Sequence, residues 1–380
     1  MNFLFIVLPF LIGAGFCALF LPIGVNIAKE NHLFDKVNER KSHTIPTPRI
    51  GGVVFVPVLF LTIFLSMAVL LPFLDSSKDS ISLSLVRHIS FFMVGMLLIY
   101  LAGWVDDFQG IRYNWKFLVQ ILAALCILFS GYYYFHLGGL FGIGVIPRWL
   151  GSVLTILITV AIINSYNLVD GIDGLCASLG ILTTAFFDYC FIRNGMVMQT
   201  IIASSTIGVF FTFLVCNLFD EKHKTFMGDT GSLSIGLVIS YLALSLYCGN
   251  YWHSHVYSFD PLRLTNPFVI IVGALFHPAF DMCRVFVTRL AKHQPPFSPD
   301  RLHFHHKLLD LGLTHLQATS VIVLIQLFFI CLNWFSSYIL GTTTIIVMDI
   351  ALAILIWQVI NFVHRKRTVN ATVIHTDRNN

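Results

Sequence analysis

The sequence predicts an all-α polytopic membrane protein of about eleven transmembrane helices. Three observations predict it. Of the 380 residues, 57% are apolar and only 11% are charged, too few charges for a soluble chain of this length. Apolar runs of about 20 residues recur, the length a helix needs to cross a bilayer. Lysine and arginine concentrate in alternate connecting segments, as they do when those segments share the cytoplasmic side. Residues 1–364 read as one integral-membrane domain, and 365–380 as a short basic and polar tail.

The expected spans follow from the apolar runs in order. The first, 3–28, is long enough to cross and has no basic segment ahead of it, so it reads as a retained helix rather than a cleaved signal. Runs at 51–74, 89–105 and 115–135 come next. The stretch 136–148, HLGGLFGIGVIPR, is too short and too rich in glycine to span. Runs at 149–166 and 174–192 flank a polar insert, and 199–219, 231–248, 267–288, 318–339 and 343–363 complete the set. The runs at 89–105, 149–166 and 231–248 are short or interrupted by glycine. No repeat period is visible. The eight cysteines fall in or beside apolar runs without a CxxC, which reads as buried free thiols.

Orientation follows from charge. With the N-terminus outside, eighteen of the lysines and arginines fall in inside segments and five in outside segments. This predicts an external N-terminus and a cytoplasmic C-terminus. The N-A-T sequence at Asn370 then lies on the cytoplasmic side. Every cluster rich in Asp, Asn or His also falls there, which predicts an active site built from cytoplasmic loops. The formal net charge is +4, and its distribution between the two sides matters more than its sum. The bilayer is the expected partner, and nucleic acid is not.

The central cluster is N-S-Y-N-L-V-D-G-I-D-G-L, 164–175. Asn164, Asn167 and Asp170 are three apart and share a face if a helix runs through them; Asp173 follows. Acids at membrane depth mark function by default. Stacked oxygen ligands suit a hard cation, and hard cations usually accompany phosphate. The competing structural reading is interhelical hydrogen bonding by the asparagines and close packing at the glycines.

Four further clusters share that side. The first inside loop, 35–52, holds Lys41, His43 and Arg49 beside prolines and a glycine pair, a setting that suits phosphate as well as simple anchoring. Asp106 and Asp107 close the third span in G-W-V-D-D-F-Q-G. Adjacent carboxylates there need a positive partner: a metal, Lys116 or a base from another loop. F-M-G-D-T-G-S-L, 226–233, sets Asp229 between glycines, with Thr230 or Ser232 as a candidate helix cap and Asn217 nearby. His303, His305 and His306 follow Arg301, a pattern open to zinc or copper but equally to phosphate or a sugar phosphate. The conjunction on one face fits phosphoryl chemistry at the lipid boundary. A transporter or flippase is the alternative of another class, but transporters place such groups at mid-bilayer on broken, repeated helices.

In this order, R-K-S-H-T-I-P-T-P-R-I-G-G, V-D-D-F, N-S-Y-N-L-V-D-G-I-D-G-L, F-M-G-D-T-G-S-L and S-P-D-R-L-H-F-H-H-K-L-L-D-L-G resemble the polyprenyl-phosphate N-acetylhexosamine-1-phosphate transferases. The resemblance covers about residues 40–315. The H-x-H-H segment after S-P-D-R resembles the branch that begins teichoic acids, O-antigens and related envelope glycans. It departs from the proline-led triple histidine of the phospho-N-acetylmuramoyl-pentapeptide transferases.

The resemblance implies an undecaprenyl phosphate acceptor in a bacterial inner membrane and a UDP-N-acetylhexosamine donor, N-acetylglucosamine first. It implies Mg2+, with Mn2+ as the substitute, and leaves room for a homodimer. It implies Asn167 and Asp229 as metal ligands. Asp170 and Asp173 would shape the nucleotide site, and Arg301, His303, His305 and His306 would engage the donor diphosphate and sugar. Asp106 and Asp107 match the family's acidic pair, with Lys116 close by. A lipid phosphate monoester has a second pKa of about 6 and is already mostly dianionic at neutral pH. The acidic pair is therefore expected to position groups rather than to act as a general base.

Overall fold

The computed structural model describes residues 3–32, 47–73, 83–253, 266–295 and 302–377. Eleven helices in these residues are long and apolar enough to cross a membrane. In chain order the helices are α1 (Leu4–Glu30), α2 (Gly51–Leu70), α3 (Leu83–Gln109), α4 (Tyr113–Ser130), α5 (Arg148–Val169), α6 (Leu175–Arg193), α7 (Val197–Phe219), α8 (Gly228–His253), α9 (Pro267–Ala291), α10 (Phe304–Asp310), α11 (His315–Ser336) and α12 (Thr342–Asp377). All but the seven-residue α10 are the spanning helices. The chain is a multi-pass membrane protein.

The runs that looked short are full helices of 27, 22 and 26 residues in α3, α5 and α8. They continue past the apolar stretch into polar residues at the end where the site forms. The glycine-rich stretch does not span, as expected. It folds as a small antiparallel hairpin, β1 (His136–Leu140) and β2 (Ile143–Val145), the one sheet among the described residues. Tyr247 near the end of α8 holds it: its hydroxyl donates to the His136 carbonyl at 2.7 Å and accepts from the His136 N–H at 2.7 Å.

Helix α8 is the axis of the bundle. Every residue of its spanning window is buried, and α2, α3, α5, α6 and α9 pack around it. It carries no charged residue between Asp229 and His253, and small hydroxyls such as Ser234, Ser240 and Ser245 stand among its apolar side chains, as suits a helix with no lipid-facing side. Outside this ring, α1 lies on α2 and α7, and α11 on α6 and α9. Helix α12 is peripheral and mostly exposed. The eight cysteines are free, but Cys283 and Cys331 are exposed on α9 and α11 rather than buried. A hydrocarbon surround makes an exposed thiol in a spanning helix no more costly than a buried one, so apolar context did not separate the two.

The site end of α8 is set by a close approach of backbones. Gly51 and Gly52 at the start of α2 donate to the carbonyls of Phe226 and Met227 at 3.1 and 2.9 Å. A Cβ on Gly52 would fall 2.0 Å from the nitrogen of Gly231. The glycine pair thus fastens α2 to the segment that carries Asp229.

Candidate active site

Residues from α3, α4, α5, α8 and the turns after α5 and α7 converge at one end of the bundle. The acidic pair divides its work. Asp106 pairs with Lys116 (Nζ to Oδ2, 2.9 Å) and accepts the Ile111 N–H at 2.8 Å. Asp107 has helix-end donors where a cation was expected. It accepts the N–H of Asp229 at 2.8 Å, the N–H of Thr230 at 2.9 Å and the Thr230 hydroxyl at 2.6 Å. It therefore caps α8 from another helix, satisfying N–H groups that the first turn leaves unpaired and meeting the positive end of the helix dipole. Thr230 and Ser232 are not the cap: Ser232 donates back to the Gly228 carbonyl at 2.9 Å. Gly228, at φ +70°, makes room for Asp107, whose oxygens would lie 2.7 Å from a Cβ there.

Asp229 is the hub. Its Oδ1 receives Lys116 Nζ and Asn167 Nδ2, each at 2.6 Å, and Asn167 also reaches the Ser232 hydroxyl at 2.9 Å. Asn164, one turn earlier on α5, does not join them. It exchanges amide hydrogen bonds with Gln120 of α4, at 2.6 and 3.3 Å. Gln120 is one turn beyond Lys116, so the α4–α5 amide pair holds Lys116 and Asn167 side by side.

The turn between α5 and α6 carries the other two acids. Its desolvated setting pushes the Asp170 carboxyl up to about 8, and Asp229 adds to the shift while Arg49 opposes it. Arg49 therefore lies within electrostatic reach of both Asp170 and Asp229. Burial also works against ionisation of Asp173, but His315 and Lys224 outweigh it and hold that carboxyl below the usual range. Lys224 stands 2.7 Å and His315 3.1 Å from Asp173 Oδ2. Asn217 does not face the acids: it accepts the Gly174 N–H at 2.7 Å and donates to the Thr225 carbonyl at 2.9 Å, bracing the turn.

The histidine cluster is helical, with His303 as the cap residue of α10. The His303 and His305 rings are parallel, 5.7 Å between centroids, and His306 is tilted against His305 at 4.3 Å. His305 rests on Gly171, where a Cβ would fall 2.3 Å from its Nε2. The histidines therefore abut the acidic turn. Burial first, then His306, pushes the His305 imidazole well below the ordinary histidine value, so it is neutral at neutral pH. Lys41, His43 and Arg301 lie outside the described residues.

Four contributing residues escaped the sequence reading: Gln120, Lys224, His315 and Asp281. The first three carry no local pattern. Asp281 had a signal, an acid inside the apolar run of α9.

Asp229 and Asn167 are the oxygen donors that could hold a divalent cation, although among the described residues no three His, Cys, Asp or Glu side chains cluster as metal ligands. Asp229 supplies a carboxylate, the Asn167 carboxamide oxygen is the end of that amide not turned to Asp229, and Asp170, which burial and Asp229 hold toward the neutral form, would be favoured as the carboxylate by a divalent cation beside it. The geometry as a whole can hold several phosphates: acids for a hard cation, Lys116 and Arg49 for direct pairing, and imidazoles on the facing side.

The sequence profile described as glycosyl transferase family 4 matches residues 89–247. A decaprenyl-phosphate N-acetylglucosaminephosphotransferase of Mycobacterium leprae (strain TN) is 32% identical over 304 residues, covering 75% of this chain and 72% of the relative. A probable undecaprenyl-phosphate N-acetylglucosaminyl 1-phosphate transferase of Bacillus subtilis (strain 168) is 30% identical over 333 residues, 85% and 83% of the two chains. An undecaprenyl-phosphate alpha-N-acetylglucosaminyl 1-phosphate transferase of Escherichia coli (strain K12) is 28% identical over 318 residues, 81% and 78%. The acid hub, its capping carboxylate and the histidine helix thus sit in a chain that belongs to glycosyl transferase family 4, among the polyprenyl-phosphate N-acetylhexosamine-1-phosphate transferases.

Proposed function

We propose that the protein transfers N-acetylhexosamine-1-phosphate, N-acetylglucosamine-1-phosphate first, from a UDP-sugar to undecaprenyl phosphate. The observation that carries the reading is the convergence on Asp229 of Lys116, Asn167 and the Asp107 cap, with the histidine helix against the adjoining acidic turn. An oxygen of the lipid phosphate bonds to the β-phosphorus of the donor. The bond from that phosphorus to the bridging oxygen breaks, UMP leaves with that oxygen, and undecaprenyl-diphospho-N-acetylhexosamine remains.

Three phosphate groups must approach one another, so positioning and charge compensation dominate the work. Asn167 and Asp229 would hold Mg2+, which supplies electrostatic stabilisation of the reacting phosphates when bound. Lys116 is placed to meet a phosphate oxygen while Asp106 and Asp229 hold its ammonium group in position. Asp107 shapes the helix end and takes no proton from the acceptor. Asp170 and Asp173 border the nucleotide, and His303, His305 and His306 face the donor diphosphate and sugar. The charge bias of the connecting segments favours a cytoplasmic site in a bacterial inner membrane.

The test is UMP release by purified protein in detergent, given undecaprenyl phosphate, Mg2+ and a panel of UDP-sugars. Release that requires lipid, Mg2+ and UDP-N-acetylglucosamine is the expected result. Release with the muramoyl-pentapeptide nucleotide alone would move the protein to peptidoglycan synthesis. No release with any donor from folded protein would refute the transferase reading.

A further inference from the structure

Asp281 is a carboxylate that the proposed chemistry does not use, in a setting that is costly to maintain. It lies in the spanning helix α9 and is 1% exposed. Ionisable groups so placed persist where partners hold them. Among the described residues its hydrogen-bond partners are all donors. His303 Nδ1 stands 2.9 Å from Oδ2, Arg284 donates to Oδ1 at 2.7 Å, and the Phe304 N–H reaches both oxygens at 3.3 and 3.4 Å. A carboxyl surrounded by donors is satisfied as the carboxylate, which only accepts. His303 therefore carries a proton on Nδ1, and its Nε2 is the nitrogen left to face other groups.

The same point fastens three helices. Arg284 also donates to the Leu302 carbonyl at 2.7 Å, and its guanidinium stacks on Trp357 of α12, 3.6 Å from the ring centroid. From Asp281 the contacts run through His303 to the parallel ring of His305, and from His305 to Gly171 beside Asp170. The carboxylate is thus joined to the acidic turn by packed rings.

We propose that Asp281 is the positioning residue of the histidine helix. It fixes the Nδ1–H tautomer and ring plane of His303, and so seats His303 and His305 against the turn where the sugar-nucleotide diphosphate binds. The inference rests on the transferase reading above. Asp281 acts through His303 and touches no substrate itself.

The test is a mutant cycle in the full chain: wild type, Asp281→Asn, His303→Ala and the double variant, with Asp281→Glu as the conservative change. Asp281→Asn should raise KM for the UDP-sugar and lower kcat/KM for it by about 10- to 100-fold, as loss of a group that orients a ligating imidazole does elsewhere. KM for the lipid phosphate should not change. The double variant should be no worse than His303→Ala, and Asp281→Glu should recover part of the loss. Asp281→Glu serves in the cycle if Asp281→Asn cannot be purified. Losses that multiply in the double variant, or a KM that rises equally for both substrates, would overturn the proposal. A wild-type protein with no transferase activity would refute the functional reading instead. Unfolding temperatures of the same four proteins would then test the link: coupled losses support it and additive losses overturn it.

Discussion

Asp107 on α3 closes on Thr230 of α8, accepting both its backbone N–H at 2.9 Å and its hydroxyl at 2.6 Å. A carboxylate that the sequence expected to need a positive partner is committed to a helix terminus. Replacing it with alanine removes a cap and leaves N–H groups of α8 unpaired, which costs about 1–2 kcal/mol. It also frees Asp229, whose own N–H is one of those capped. Asp107→Ala should lower the unfolding temperature as well as turnover. Loss of turnover at an unchanged unfolding temperature would show that Asp107 acts on substrate rather than on the helix.

Lys116 differs from Asp107 in that its ammonium group meets two carboxylates, Asp106 at 2.9 Å and Asp229 at 2.6 Å. Lys116→Met leaves two partly buried acids without their cation. Turnover should fall by about 100-fold or more, the range found when a preorganised electrostatic donor is removed. Lys116→Arg should retain part of the activity, since the charge remains. Steady-state rates at saturating UDP-sugar and lipid check both. Equal activity of Lys116→Met and wild type would remove Lys116 from the site.

Asp229 leads to a prediction about metal. Chelation of divalent ions should abolish transfer by the wild type, and added Mg2+ should restore it. Asp229→Ala should stay inactive at every Mg2+ concentration while remaining folded by thermal unfolding. Full turnover of Asp229→Ala with Mg2+ present would remove it from the ligand set.

The spans and the site's acids were legible because each is a local property: an apolar run has a length, and an acid at its end stands out. Partners were not. Asn164 and Asn167 look alike in sequence, yet one pairs with Gln120 and the other with Asp229. That choice depends on how α4 and α8 flank α5, which no spacing within α5 encodes. Asn217 likewise looked like a site residue because it stands near the end of the span before Asp229, though its hydrogen bonds go to Gly174 and Thr225. The histidines were read as a loop because seven residues are too few to display helical periodicity.

The Gly52–Gly231 approach yields a prediction about packing alone. A Cβ at Gly52 would fall 2.0 Å from backbone nitrogen and 2.7 Å from the Met227 carbonyl, neither of which can rotate away. Gly52→Ala should force α2 from the start of α8 and cost at least the roughly 1–3 kcal/mol typical of overpacking. Because that segment carries Asp229, activity should fall with stability. Purification yield and unfolding temperature measure the first effect and UMP release the second. A fully stable and active Gly52→Ala would contradict the close approach.

Asp173 makes the acid limb of stability predictable. Its folded-state carboxyl is held below the ordinary value by His315 and Lys224 against the cost of burial. A depressed acid contributes stability that is fully present above its unfolded pKa, near 4, and is lost as pH falls through the folded one. Lys224 is 38% exposed, so solvent screens part of that contribution. Asp173→Asn should therefore be less stable than wild type at neutral pH, with the gap narrowing as pH falls below about 4. Unfolding temperatures of the two proteins across that range test the sign. A gap that widens toward low pH would mean that the Asp173 carboxyl is raised on folding, contrary to its two basic partners.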